Sequence, residues 1–255
     1  MPKPKVAIIS LTCCEGCQFA LLDMGREFLD LTKQIDLVDM RFLREEPKDT
    51  VYDITFIEGN PVSAEDFEMV KKIRQKSQYL IMALGNCAAM GGIPKVGNYR
   101  GRKKLFEHVY GKLKGVRHPD ITTVFDHFRI DFVIPGCPIT ASEFVQTVND
   151  LLVGKKPKIA QRPVCYECQI RGYECLLQKG EICFGPIVLG GCEAICLKNK
   201  LGCFGCRGLL KDAKKETVDN LLKILEKDHQ TKDIEAVLEV FGAKDEYLAA
   251  KKKKK

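Results

Sequence analysis

Short apolar runs rich in β-branched residues alternate, through the first part of the chain, with stretches whose apolar residues recur at three- and four-residue spacing. The short runs Val6–Leu11, Ile35–Met40, Ile54–Glu58, Tyr79–Leu84 and Phe132–Ile134 read as strands. Helical spacing appears over Gln18–Leu31 (Phe19, Leu22, Phe28, Leu29), over Ala64–Lys76 (Phe67, Val70, Ile73, with Ser63 as N-cap) and over Ala141–Val153 (Phe144, Val148, Leu151). Lys103–Tyr110 is weakly helical. Near-continuous apolar strands separated by helices predict a parallel sheet covered on both faces. In such sheets ligands bind beyond the carboxyl ends of the strands.

The pattern changes at Gly154–Lys158, which reads as a linker and divides the chain into domains 1–155 and 156–255. From Cys165 to Cys206 there is little periodicity, many glycines and eight cysteines. A segment that cannot bury an ordinary core needs staples, and bound metal is the natural one. Lys214–Lys227 and Asp233–Phe241 then read as short amphipathic helices. No internal repeat is present.

Composition narrows the function. Of 255 residues, 45% are hydrophobic, enough for a packed core. The formal charge is +7, but five positive charges are the terminal run Lys251–Lys255, which reads as a solvated tail. The body is near neutral, so nucleic acid gains no support as a partner. No stretch approaches the roughly 18 apolar residues of a membrane span. Met-Pro-Lys-Pro-Lys runs directly into the first strand, with no signal peptide or twin-arginine signal. The expectation is a cytoplasmic protein. Its thirteen cysteines then read as reduced thiols for metal rather than as disulfides, and an odd number cannot pair completely.

The cysteines fall into two constellations. Cys14-Glu-Gly-Cys17, Cys87 within Gly85–Gly92, and Cys137 within Pro135–Pro138 each follow a predicted strand. They should therefore meet at one sheet edge, and four thiolates there would complete a 4Fe-4S cluster. A thioredoxin-like pair at Cys14 and Cys17, or structural thiols at Cys87 and Cys137, would each explain one piece. The second constellation runs Cys165-Tyr-Glu-Cys168, Cys175, Cys183, Cys192, Cys196 and Cys203-Phe-Gly-Cys206. Iron–sulfur clusters or two zinc sites would both use it.

Cys14-x-x-Cys17, Gly85-x-Cys87-x-x-x-Gly-Gly, Gly136-Cys-Pro and Cys183-x-Gly-Pro followed by Cys203-x-Gly-Cys206 together resemble the small subunit of cytoplasmic (group 3) nickel–iron hydrogenases, in particular the sulfhydrogenase delta subunit. The resemblance covers nearly the whole chain. It implies a flavodoxin-like parallel α/β domain followed by a small irregular cluster domain. It also implies three 4Fe-4S clusters: Cys14, Cys17, Cys87 and Cys137 as proximal ligands, Cys165, Cys168, Cys175 and Cys183 as distal, and Cys192, Cys196, Cys203 and Cys206 as medial. Many membrane-associated relatives have histidine where this chain has Cys165, and relatives with a three-iron medial cluster have proline where it has Cys196. Both cysteines should lower reduction potential. The nickel–iron centre would sit on a large-subunit partner, and a further subunit would accept electrons. No catalytic residue is expected on this chain, and no membrane partner.

Other features fit around this. Cys13 is left over, either as a small buried thiol or as a ligand in exchange with Cys14. His108, His118, His127 and His229 lack metal spacing and read as surface or core residues. Arg100–Lys104 reads as an exposed loop or a dock for an acidic partner. Glu15 and Glu58 lie near strand ends, where a proton path or a partner contact is conceivable. No phosphate-cradling Gly-rich loop is present, so no flavin is expected. The rival readings are a complex I-type cluster-carrying electron-transfer subunit, which would need only the first constellation, and a zinc-stabilised binding module, which would be colourless. A disulfide-rich structural protein would need an export signal. The terminal acceptor and the direction of catalysis are not written in these residues.

Overall fold

The computed structural model describes residues 2–43, 50–111, 119–159 and 161–252. The chain forms two compact units, Met1–Lys158 and Ile159–Lys255.

The first unit begins with β1 (Lys5–Ser10), α1 (Gly16–Leu22), α2 (Arg26–Thr32), β2 (Asp36–Met40), β3 (Tyr52–Glu58), α3 (Ala64–Lys76) and β4 (Ser77–Leu84). It continues with α4 (Gly85–Met90), α5 (Val96–Tyr99), α6 (Arg102–Tyr110), β5 (Phe132–Ile134) and α7 (Ala141–Leu152). The five strands are parallel in the order β2-β1-β3-β4-β5. The order reverses between β1 and β3, which opens a crevice at their carboxyl ends.

Two-residue alternation along the strands divides the core. Val6 and Ile8 of β1 join Phe56 of β3 and Met82 and Leu84 of β4 against Leu21 of α1, Phe28 and Leu31 of α2, and Phe144 and Val148 of α7. Ala7 and Ile9 face the other layer, with Val70 and Ile73 of α3 and Ala88 of α4. Phe56 and Phe144 pack at 4.8 Å between ring centroids, both fully buried. Each such side chain contributes about 1.5–3 kcal/mol by leaving water. Ser63 caps α3 in a reciprocal box, taking the Asp66 N–H at 3.1 Å while Asp66 Oδ2 accepts the Ser63 N–H at 2.9 Å.

The structure corrects several element expectations. The helix expected over Gln18–Leu31 is two helices, broken at Asp23–Gly25. Phe19 and Leu29 on its expected apolar face are exposed. The segment after β4, expected as a loop, is the short helix α4, and Arg102–Lys104 open α6.

The second unit contains α8 (Val164–Ile170), α9 (Ile195–Lys198), α10 (Lys215–Leu225), α11 (Thr231–Glu239) and α12 (Lys244–Lys252). Among the described residues it has no sheet, only isolated bridges pairing Pro163 with Leu189 and Val188 with Leu209. Val218, Leu221, Leu222 and Leu225 of α10, Ile234 and Leu238 of α11, and Tyr247 of α12 are buried. Glu246 ties α12 to the cysteine segment by accepting the Leu209 N–H at 2.7 Å. α12 takes in Lys251 and Lys252 of the expected tail, and the last three lysines lie outside the described residues.

Candidate iron–sulfur centres

Loops leave the carboxyl ends of β1, β3, β4 and β5 and are stitched to one another. Leu11 N–H donates to Glu58 O at 2.8 Å, and Thr12 and Asn60 exchange backbone bonds of 3.2 and 2.9 Å. Asn86 N–H donates to Gly136 O at 2.7 Å. The Asn60 side-chain amide donates to Cys87 O at 2.8 Å and to Thr122 O at 3.0 Å. Three of these loops carry thiols: Cys13, Cys14 and Cys17 after β1, Cys87 in the first turn of α4, and Cys137 after β5, at a cis peptide to Pro138.

Cys14, Cys17, Cys87 and Cys137 come together. Burial pushes the Cys87 thiol up to about 12, with Cys137 and Cys14 adding to it. Burial and then Cys14 push Cys137 up to about 11. Cys17 is raised further, by burial first, then by Glu58 and, less, by Cys137. Cys14 is exposed, but Cys17, Cys87 and Cys137 are sheltered thiols that become thiolates only when positive charge arrives among them. The backbone leaves room for it. Gly85, at φ +81°, lies so near Cys17 that a Cβ would collide with its Sγ. Cys13 is half-buried and pushed up to about 12 by burial and then Glu58.

Glu58 ends β3 at the strand-order reversal and is 2% exposed. Its Oε1 accepts the Cys17 N–H at 3.0 Å, and burial raises its carboxyl. Gln18, also buried, bonds to Ser10 and reaches Glu58 Oε2 at 3.4 Å. Glu15, at φ 59°, pairs with Arg41 at 3.4 Å.

In the second unit, α8 presents Cys165 and Cys168 one turn apart, on the same side of the helix. Burial and then Cys183, Cys168 and Cys175 push Cys165 up to about 12. Cys168 is raised by burial and then by Cys183 and Cys175. Gly185 completes this pocket, since a Cβ there would stand 3.1 Å from Cys165 Sγ and 3.5 Å from Cys183 Sγ. Burial raises Cys203 strongly, against a backbone bond from Gly205 and with help from Cys183, Cys206 and Cys192. Cys196 is raised by burial and then by Cys192 and Cys183. Cys183 thus borders both groups, and its Sγ accepts the Cys203 N–H at 3.3 Å.

Among the described residues, the non-glycine positions with left-handed backbone are Glu15, Glu193, Ala194 and Lys200, all within a few residues of a cysteine. No three of His, Cys, Asp or Glu among these residues stand close enough to share a single metal ion. His127 meets Phe67 edge to face at 4.8 Å between ring centroids, His229 bonds Gly180 O at 2.6 Å, and His108 is exposed on α6. His118 lies outside the described residues. Sequence reasoning missed Asn60, Gln18, Glu167 and Arg207, all buried. Only Glu167, a charge inside a C-x-x-C pair, left a visible trace.

A parallel α/β unit with cysteines on its strand-end loops, joined to a cysteine-rich second unit, defines an iron–sulfur electron-transfer subunit. Residues 14–151 match the family described as NADH ubiquinone oxidoreductase, 20 Kd subunit. The chain is 33% identical to sulfhydrogenase 2 subunit delta of Pyrococcus furiosus, over 93% of this chain and 99% of that one. It is 30% identical to a subunit of the F420-non-reducing hydrogenase of Methanocaldococcus jannaschii, over 80% of this chain and 81% of the relative. Its fold matches a chain of an NAD+-reducing [NiFe]-hydrogenase with a TM-score of 0.54 and 27% identity, over 62% of this chain and 96% of that chain. The chain belongs to the small-subunit family of nickel–iron hydrogenases, and is therefore a subunit of an oxidoreductase. No helix among the described residues is long and apolar enough to cross a membrane.

Proposed function

We propose that the chain relays electrons between a nickel–iron centre on a large subunit and a further redox partner, and that it does so in the cytoplasm. Cys14, Cys17, Cys87 and Cys137 would hold a proximal 4Fe-4S cluster. Cys165, Cys168, Cys175 and Cys183 would hold a distal one, and Cys192, Cys196, Cys203 and Cys206 a medial one. Bound there, the clusters would supply reversible one-electron storage. The protein's part is to present the thiols, to bring backbone close through Gly85 and Gly185, and to shelter Cys17, Cys168, Cys183 and Cys203 from water by burial. The observation that carries this reading is the meeting of Cys14, Cys17, Cys87 and Cys137 beyond the strand ends of the first unit, with the other eight assigned thiols gathered in the second. Eight cysteines in Cys165–Cys206 would need two zinc sites in a segment of little regular structure, whereas two 4Fe-4S clusters would use them all.

The family match ends at residue 151, so the eight cysteines of Cys165–Cys206 lie beyond it and favour the hydrogenase reading over a complex I-type subunit. Anaerobic analysis should find about twelve iron and about twelve sulfide per chain, four of each for every cluster. Zinc in place of iron would refute the assignment. Cys196→Pro should convert the medial site to a three-iron cluster with its own oxidised paramagnetic signal and a higher potential. The isolated chain should be reducible by dithionite yet inert to hydrogen, because its assigned thiols close their sites and leave no open metal position. Adding the mature large subunit should make hydrogen bleach the clusters. Bleaching by hydrogen without that subunit would show that this chain itself activates hydrogen.

A further inference from the structure

Glu167 stands between Cys165 and Cys168 on α8, yet its bonds lead to the other thiol group of the same unit. Its Oε1 accepts the Gly191 N–H at 2.7 Å, and Arg162 donates to the same oxygen from Nη2 at 2.9 Å and from Nε at 3.2 Å. Gly191 immediately precedes Cys192. The joint continues on both sides. Gly190 N–H donates to Arg162 O at 2.8 Å, and Arg207, which directly follows Cys206 and is 3% exposed, donates from Nε to Gly190 O at 2.9 Å. One carboxylate therefore fastens the helix of one cysteine set to the loop that opens the next.

That carboxylate is 5% exposed, and its second oxygen, Oε2, is buried with no hydrogen-bond partner among the described residues. A half-satisfied buried carboxylate is costly, and an uncharged side chain of similar size would cost less. The Gly191 bond also locates its effect, since it sets the carboxylate one residue along the backbone from Cys192.

We propose that Glu167 is a positioning residue of the electron relay: it clamps the Cys192 loop to α8 and sets a buried negative charge beside Cys192, which holds down the reduction potential of the medial site. The inference rests on the cluster assignment above. Its physics is simple. Reduction adds an electron, a nearby negative charge opposes that electron, and burial leaves the opposition poorly screened. Glu167 would then work in the same direction as the fourth cysteine ligand at Cys196.

The test is a redox titration of the iron-loaded full chain, followed by electron paramagnetic resonance, with iron and sulfide counted first. A wild-type chain without iron would refute the cluster reading itself, before any potential is measured. In Glu167→Gln, iron should stay at the wild-type level and one couple should move to higher potential. That couple should be the one that Cys196→Pro replaces by a three-iron signal. Full iron with all couples unmoved, or a shift confined to another couple, overturns the proposal. If Glu167→Gln sheds iron, Glu167→Asp decides. Retained iron and an unmoved medial couple in the variant that keeps the charge support the proposal, and iron loss in both variants overturns it.

Discussion

The two units carry thiols in opposite ways. In the first, a five-stranded sheet lies between two helical layers, and of the cysteines gathered beyond its strand ends Cys17 alone joins the core. In the second, Cys168, Cys183 and Cys203 are themselves buried core residues of the region that precedes α10, with Cys175 exposed. The first unit adds a site to a fold. The second has little fold between Cys165 and Cys206 apart from its sites. A bound metal should accordingly be an accessory to one unit's stability and a structural member of the other's.

Removing iron is the strongest way to break the comparison. After anaerobic chelation, residues 159–255 should lose protection from proteolysis and amide exchange, while β1, β3 and β4 stay protected. Loss of protection across both units together, or in neither, would contradict the contrast. The converse experiment cuts into the first core. Phe144→Ala should destabilise residues 1–158 by about 3–5 kcal/mol, the usual range for emptying a buried aromatic site. The iron held by the second unit should survive it, which denaturation followed separately by far-ultraviolet dichroism and by visible absorption would reveal. Smaller still, Ser63→Ala removes one cap bond from α3 and should cost about 1 kcal/mol, with the iron content unchanged. A chemical-denaturation midpoint reads that loss. Smallest of all, Cys13→Ala should leave the iron count at the wild-type level. Loss of about four iron from Cys13→Ala, with none lost from Cys14→Ala, would show that the adjacent thiols ligate in the opposite order.

Legibility followed the same division. The strands of the first unit could be read because Val6, Ile8, Phe56 and Met82 serve one layer while Ala7, Ile9 and Ile57 serve the other, and continuous apolar runs are what a doubly covered sheet requires. Cysteines after strands pointed to the sheet edge for the same reason. The break at Asp23–Gly25 was hidden, because Phe19 and Leu29 keep helical spacing while facing outward. In the second unit the spacing of Cys165, Cys168, Cys203 and Cys206 announced metal, but α8 and α9 are too short for periodicity to reveal. Family resemblance, rather than spacing, divided those eight cysteines into two sets. Asn60 left no trace in the sequence, and Glu167 only the oddity of a charge inside a C-x-x-C pair. Each matters through partners distant along the chain, Cys87 and Thr122 for one and Gly191 for the other.

Glu15, Glu193, Ala194 and Lys200 hold a backbone conformation that side chains disfavour, and all four lie within three residues of a cysteine. Each such residue stores about 1–3 kcal/mol of strain. The cysteine turns are therefore springs held partly wound, and glycine at these positions would let them down. If clusters bind as proposed, a chain empty of them would relax first where Cys14, Cys192, Cys196 and Cys203 are carried, and loading it would mean winding those turns again. The pace of loading would then depend on four unfavourable torsions as well as on the thiols.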